Sequence, residues 1–131
     1  MIVLDTHVLV WWVSDAARLT ARARRAIDGA LRRGPIIVSA ISIFEIATAV
    51  CRGRLELALP IDQWLADVLL LPDVRIEPVS AAIAQLAGQF ADPLPGDPAD
   101  RLIAATASVL KAKMVTADER LRRSPHIAAV W

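Results

Sequence analysis

What this chain lacks narrows its class before any motif is read. It has one cysteine, Cys51, in 131 residues, which excludes an internal disulfide framework and a multi-cysteine metal centre. It has only two histidines, so a histidine-rich zinc site is disfavoured. Its most apolar segments, Met1–Val13 and Pro35–Ile43, fall far short of the roughly 20 residues a membrane-spanning helix needs. No G-x-G-x-x-G or G-x-x-x-x-G-K-[ST] occurs, which disfavours dinucleotide and nucleoside-triphosphate enzymes. Internal repeats, low-complexity tracts and linkers are absent too, so the expectation is a single domain over residues 1–131. The net charge is only +1, and total charge therefore says little about nucleic acid.

What is present is more informative. Apolar residues make up 56% of the chain and the mean hydropathy is +0.47, which is high for a monomer of this length. The surplus points either to a buried protein–protein interface or simply to an alanine-rich chain. The opening segment carries Asp5 and no basic leader, so a cytoplasmic protein is expected. Cations cluster in two places, Arg18–Arg33 and Lys111–Arg123. Such clusters can meet phosphates, although a basic helix face is also an ordinary solvated surface. Cys51 has no motif around it and reads as a small buried residue.

Short apolar runs alternate with helical periodicity. Ile2–Leu4, Ile36–Val38, Val74–Glu77 and Met114–Thr116 read as strands, with Ile127–Val130 as an edge strand. Helices are expected over Thr6–Val13, from the Thr20 cap to Arg33, over Ile41–Cys51, from Ile61 to Pro72, after the Ser80 cap, and from Pro98 to about Lys111. Residues 92–98 carry strong turn chemistry. This alternation predicts an α/β sandwich with a mostly parallel sheet. In such sheets ligands bind beyond the carboxyl ends of the strands.

That rule draws attention to acids. Asp5 directly follows the first strand and Asp118 the fourth. Glu45 follows the second strand and is the only charged residue from Gly34 to Cys51. Asp97 and Asp100 begin the Pro98 helix. Each has a purely structural alternative. Asp5 and Asp118 can cap the helices that follow them, and Glu45 can pair with Arg52 or Arg54. Asp97-Pro98-Ala99-Asp100 has the form of a capping box, the preferred role for Asp97. Gathering several acids has a physical consequence. Two carboxylates about 4 Å apart repel by roughly 4 kcal/mol at an effective dielectric near 20. A cluster therefore takes up protons or binds a cation. Oxygen ligands alone suit Mg²⁺ or Mn²⁺, ions that assist phosphodiester hydrolysis.

The succession Leu4-Asp5-Thr6-His7-Val8-Leu9-Val10-Trp11-Trp12, Ser39-x-x-Ser42-x-x-Glu45-Ile46-Ala47, Asp97-Pro98-Ala99-Asp100-Arg101-Leu102-Ile103-Ala104-Ala105-Thr106-Ala107 and Val115-Thr116-Ala117-Asp118 resembles the PIN-domain toxins of VapC type. The resemblance covers essentially the whole chain, and its specificity lies in the order and spacing of the motifs. It implies a PIN-like three-layer α/β/α sandwich and a magnesium-dependent endoribonuclease. It further implies a toxin held by a VapB-type antitoxin, and a homodimer. Carried over by position, Asp5, Glu45, Asp100 and Asp118 would be the catalytic, metal-holding acids. Thr6 and Thr116 would orient them, and Asp97 would have a less defined role. Gly96 and Ala99 depart from the His or Arg and the large apolar residue that members often carry there; this bears on substrate contacts from the loop. His7 reads as a packed or orienting residue. The Arg18–Arg33 helix and the Lys111–Arg123 region are the candidates for holding the RNA backbone. A phosphatase of the haloacid dehalogenase kind is disfavoured because His7 stands where its second Asp is needed. The remaining alternative is a PIN-like module that binds RNA or a partner without cutting.

Overall fold

A computed structural model describes residues 1–91 and 97–131. The turn-rich segment noted in the sequence lies mostly outside them. Five strands, β1 (Ile2–Leu4), β2 (Ile36–Ser39), β3 (Val74–Glu77), β4 (Lys113–Val115) and β5 (Ala129–Val130), form one sheet in the order β3-β2-β1-β4-β5. Every pairing is parallel. The expected "mostly parallel" sheet is thus wholly so among the described residues. Helices α1 (Thr6–Ser14), α2 (Ala21–Leu31), α3 (Ala40–Cys51), α4 (Ile61–Leu69), α5 (Ala81–Gln89), α6 (Pro98–Val109) and α7 (Glu119–Arg122) complete three layers.

Side chains alternate along the strands and build a core on each face. Ile2, Leu4, Ile36 and Val38 point to one side, with Val8 and Leu9 of α1, Ile27 of α2 and Trp64 of α4. Val3, Ile37 and Met114 point to the other, with Ile103 and Ala104 of α6 and Leu121 of α7. A third cluster joins α5 to α6 through Ile83, Ala87 and Ala105. Helix α3 supplies Ile46 to the first core while Ile41 packs on the second. It therefore sits across the carboxyl edge of the sheet.

Local sequence explains the element ends. The side chains of Thr20, Ser39, Ser80, Asp97 and Asp118 each accept a backbone N–H at a helix start. At the end of α3, Gly53 takes a left-handed φ of 69°, its N–H donating to Val50 and that of Arg54 to Ala49. This is a Schellman turn with glycine at the strained position. The end of α6 makes the same turn, with Lys111 at φ 53°. Two readings from the sequence need correction. Cys51 is exposed, because it lies in the last turn of α3 where the helix leaves the core. Strand β4 starts and ends one residue earlier than expected, leaving Thr116 as the first residue beyond it.

Ile37, 1% exposed, sits between the central strands and α6. Ile37→Ala should cost about 2–5 kcal/mol in urea unfolding, against about 1 kcal/mol for the cap substitution Thr20→Ala. Equal costs would show that this face is not packed as described.

Candidate active site

Parallel register assembles the site. Leu4 pairs with Val38 on one side and Val115 on the other, so the residues that follow, Asp5, Ser39 and Thr116, leave the sheet side by side. The Asp5 N–H donates to the Val115 carbonyl at 3.0 Å and fixes this end of the ladder. Asp5 is 2% exposed. Such burial of a carboxylate requires donors. Its Oδ1 accepts the Thr6 N–H at 2.9 Å, the start of α1, and its Oδ2 accepts the Thr116 hydroxyl at 2.6 Å. The Thr116 Oγ1 in turn accepts the Asp118 N–H at 3.1 Å. One threonine thereby ties together the acids that follow β1 and β4. His7 Nε2 lies 3.7 Å from Asp5 Oδ2, with its ring against Trp11, in keeping with a packed residue beside the site.

Glu45 comes from α3. The Thr6 hydroxyl donates to its Oε1 and shares a second hydrogen bond, 2.9 Å long, with the Ser42 hydroxyl. A hydroxyl has one proton, so Ser42 is the donor in that second contact. Neither Arg52 nor Arg54 is ion-paired with Glu45 among the described residues. Arg54 instead lines both hollows that flank it, one with His7 and Trp11, the other with Phe44 and Asp97. Asp97 is the N-cap of α6, accepting the Ala99 N–H at 2.9 Å. Asp100 stands one turn further on in the same helix. Asp118 caps α7 through the Arg120 N–H and pairs with the Arg120 guanidinium at 3.1 Å.

Electrostatics show that these acids share one space. Burial pushes the Asp100 carboxyl up to about 7, and the charges of Asp5, Asp97, Glu45 and Asp118 push the same way. Burial also raises Glu45; the Thr6 hydroxyl opposes this, and Asp5 and Asp97 add to it. Asp118 differs. Burial raises it, but the hydrogen bonds and charge of Arg120 outweigh burial and hold it below the ordinary range.

The acids sense one another without closing into a shell. Among the described residues, no group of three or more His, Cys, Asp or Glu is arranged to hold an ion. Each carboxylate is engaged separately: Asp5 by two donors, Glu45 by Thr6, Asp118 by Arg120. The donors are all oxygens and the crowding is of one sign, which suits a hard divalent cation. The sequence named Ser42 only as part of a motif and Arg120 only as part of a basic cluster, with no role at the site for either. Ser42 lies three residues before Glu45 on one helix face, and Arg120 two residues after a capping Asp, so both had a local signal.

Apart from Arg120, which pairs with Asp118, the members of the basic clusters that group together lie away from Glu45. Arg22, Arg25, Arg33, Lys111 and Lys113 border none of the space around Glu45. Lys113 opens β4, at the amino edge of the sheet, whereas the acids follow the carboxyl edge.

Comparison with known proteins agrees with this architecture. A PIN domain family model matches residues 2–127. Ribonuclease VapC22 of Mycobacterium tuberculosis is 39% identical over 132 residues, spanning 99% of this chain and 98% of that protein. Among solved structures, VapBC2 from Rickettsia felis, bound to a DNA fragment from its promoter, superposes with a TM-score of 0.72 at 20% identity, covering 98% of this chain and 97% of that one. FitAcB from Neisseria gonorrhoeae gives 0.69 at 26% identity, over 98% and 96%. The chain belongs to the PIN-domain family and, within it, to the VapC branch.

Proposed function

We propose that this protein is a magnesium-dependent endoribonuclease and the toxin of a toxin–antitoxin pair. The observation that carries the proposal is the convergence of Asp5, Glu45, Asp97 and Asp118 on Asp100 at the carboxyl edge of a parallel sheet. The name of the relative VapC22 supports ribonuclease chemistry. The names of the solved VapBC assemblies support a VapB-type antitoxin as partner. Asp5, Glu45, Asp100 and Asp118 are the residues assigned to hold Mg²⁺, or Mn²⁺. When bound, the ion would offset charge on the phosphoryl oxygens and ease ionisation of water.

The chain's own groups supply the rest. Thr116 and the Thr6 N–H hold Asp5 with its oxygens fixed, and the Thr6 hydroxyl aims Glu45. Glu45 or Asp100 is assigned as the acceptor for the proton of the attacking water. The expected products are a 5′-phosphate and a 3′-hydroxyl. Asp97 is assigned to capping. The rival reading, a module that binds RNA or a partner without cutting it, draws on the open arrangement of the acids.

Asp5→Asn keeps the shape and removes one charge. It should lower RNA cleavage by at least about two orders of magnitude while leaving the circular dichroism spectrum unchanged, and EDTA should do the same to the native protein. EDTA-resistant cleavage would remove the metal from the mechanism. RNA binding with no cleavage in Mg²⁺ would favour the module.

Asp100 also sets a pH dependence. Its pKa rises from an ordinary 3.8 to about 7 on folding, so the folded state favours its protonated form. That contribution to stability is fully present below the ordinary value and is lost as pH rises through about 7. Without divalent ions, the melting temperature should fall by a few degrees between about pH 5 and pH 8. Asp100→Asn should flatten the fall, and Mg²⁺ should stabilise the native protein most at the alkaline end. A native protein that gains stability toward pH 8 in EDTA would contradict this.

A homodimer is proposed as well. Phe44, Leu69 and Leu70 are 65%, 53% and 82% exposed, a large apolar surface for a small domain. Sedimentation should give twice the 14.2 kDa chain mass, and a monomer at micromolar concentration would reject the dimer.

A further inference from the structure

The chain's cations gather around a furrow that the mechanism above does not use. Arg22, Arg25 and Arg33 project along one stripe of α2. Lys111 and Lys113 face them from the turn before β4 and from its first residue. The floor between them is Ala26, Gly29 and Ala30, and the space a Cβ on Gly29 would take is open. Among the described residues no Asp or Glu lines this furrow. It continues past Arg33 into a hollow bearing Arg75, which pairs with Glu77, and past Arg22 into one bearing Arg122 and Arg123 together with Glu119, the partner of Arg123. The result is a positive strip on a chain whose net charge is only +1.

Ordinary structural uses do not account for these cations. None of the five around the furrow is ion-paired among the described residues. Arg33 follows the carboxyl end of α2, where a cation is favoured, but Arg22 is the second residue of that helix, where the dipole opposes one. Lys111 is more telling. It occupies the left-handed position of a Schellman turn, which the end of α3 fills with Gly53. A lysine there strains the backbone, although, like Arg33, it follows the carboxyl end of a helix, where a cation is favoured.

We propose that this furrow is a docking site for the phosphate backbone of long or folded RNA, engaging the substrate away from the scissile bond. The choice of RNA rests on the ribonuclease reading above. A spaced row of unpaired cations over a floor of small residues fits a chain that carries one negative charge per unit. The furrow runs from Met1, at the amino end of β1, to Val130, at the carboxyl end of β5, and its Met1 end lies four strand residues from Asp5, or roughly 13 Å along the sheet. A single phosphate cannot touch both, but a strand bending round the edge of the sheet can. The furrow thus selects for substrate length.

Two measurements test this. The first is fluorescence anisotropy of a long labelled RNA in EDTA across a salt series. Arg25→Gln/Lys113→Gln should lower the slope of log affinity against log salt by about 0.7–0.9 for each cation removed. Lys111→Gly should weaken RNA binding while raising the melting temperature, an outcome that loss of folding cannot mimic. The second is cleavage in Mg²⁺. For the double variant, kcat/KM should fall about tenfold on long RNA and stay unchanged on a short oligonucleotide. An unaltered salt slope, or equal losses on long and short substrates, overturns the proposal. So does polyglutamate displacing RNA of equal charge, which would assign the furrow to an acidic protein. The two readings separate cleanly. If the native protein cuts no RNA but the furrow variants still change the slope, the nuclease falls and the furrow stands. Cleavage with an unaltered slope gives the reverse.

Discussion

A carboxylate buried at the end of the central strand is the constraint around which this site is organised. Asp5 is nearly inaccessible, and an ionised acid in that position is tolerated only with donors on its oxygens. The fold supplies them through register. Because β1 and β4 run parallel and pair Leu4 with Val115, the next residue of β4's chain, Thr116, falls beside Asp5. Because α1 begins at the end of β1, its first N–H falls on the other oxygen. Neither contact would survive a one-residue slip, which would turn every side chain of the strand to the opposite face. The two hydrophobic cores, which read alternate residues of the same strands, therefore also hold the chemistry in place.

The same arrangement is electrostatically uncomfortable. Asp100 is half-buried among four other acids, and its carboxyl titrates near neutrality as a result. A protein selected for stability alone would not keep it. That tension is typical of functional sites, where stability is given up for pre-organisation. Arg120 bonds Asp118 and holds it below the ordinary range, whereas burial and like charge still raise Asp100 and Glu45.

Much of this was legible in the sequence, and the reasons are local. Short β-branched runs, Ser and Thr caps, and Pro98 after Asp97 mark elements with their neighbours alone, and the strands and helices lie where those signals put them. The acids could be placed on one edge because a parallel sheet sends every strand end the same way. Three things were not legible. The Ala16–Arg18 turn has no distinguishing pattern. Cys51 read as buried for want of any motif around it, but exposure at the last turn of a helix depends on where the core stops. The position of the cationic clusters relative to the acids could not be read, because proximity between α2 and β4 says nothing about which end of the sheet they share.

That last point changes how the small net charge is understood. A balance near zero here is not an absence of field: acids gather at the carboxyl edge, with Arg54 and Arg120 beside them, while unpaired cations line the furrow. A polyanion approaching the protein without a divalent ion meets repulsion at the acidic edge and attraction at the basic one, so its first stable contact is with the furrow. On the proposed mechanism, a divalent cation at the acidic edge would reduce that repulsion and let the second contact form. Encounter and reaction are then governed by different ends of one sheet. Salt acts chiefly on the first, because counterion release scales with phosphates engaged, whereas divalent ions act on the second. Sensitivity to these two variables should be separable in a way that a single mixed-charge cleft would not allow.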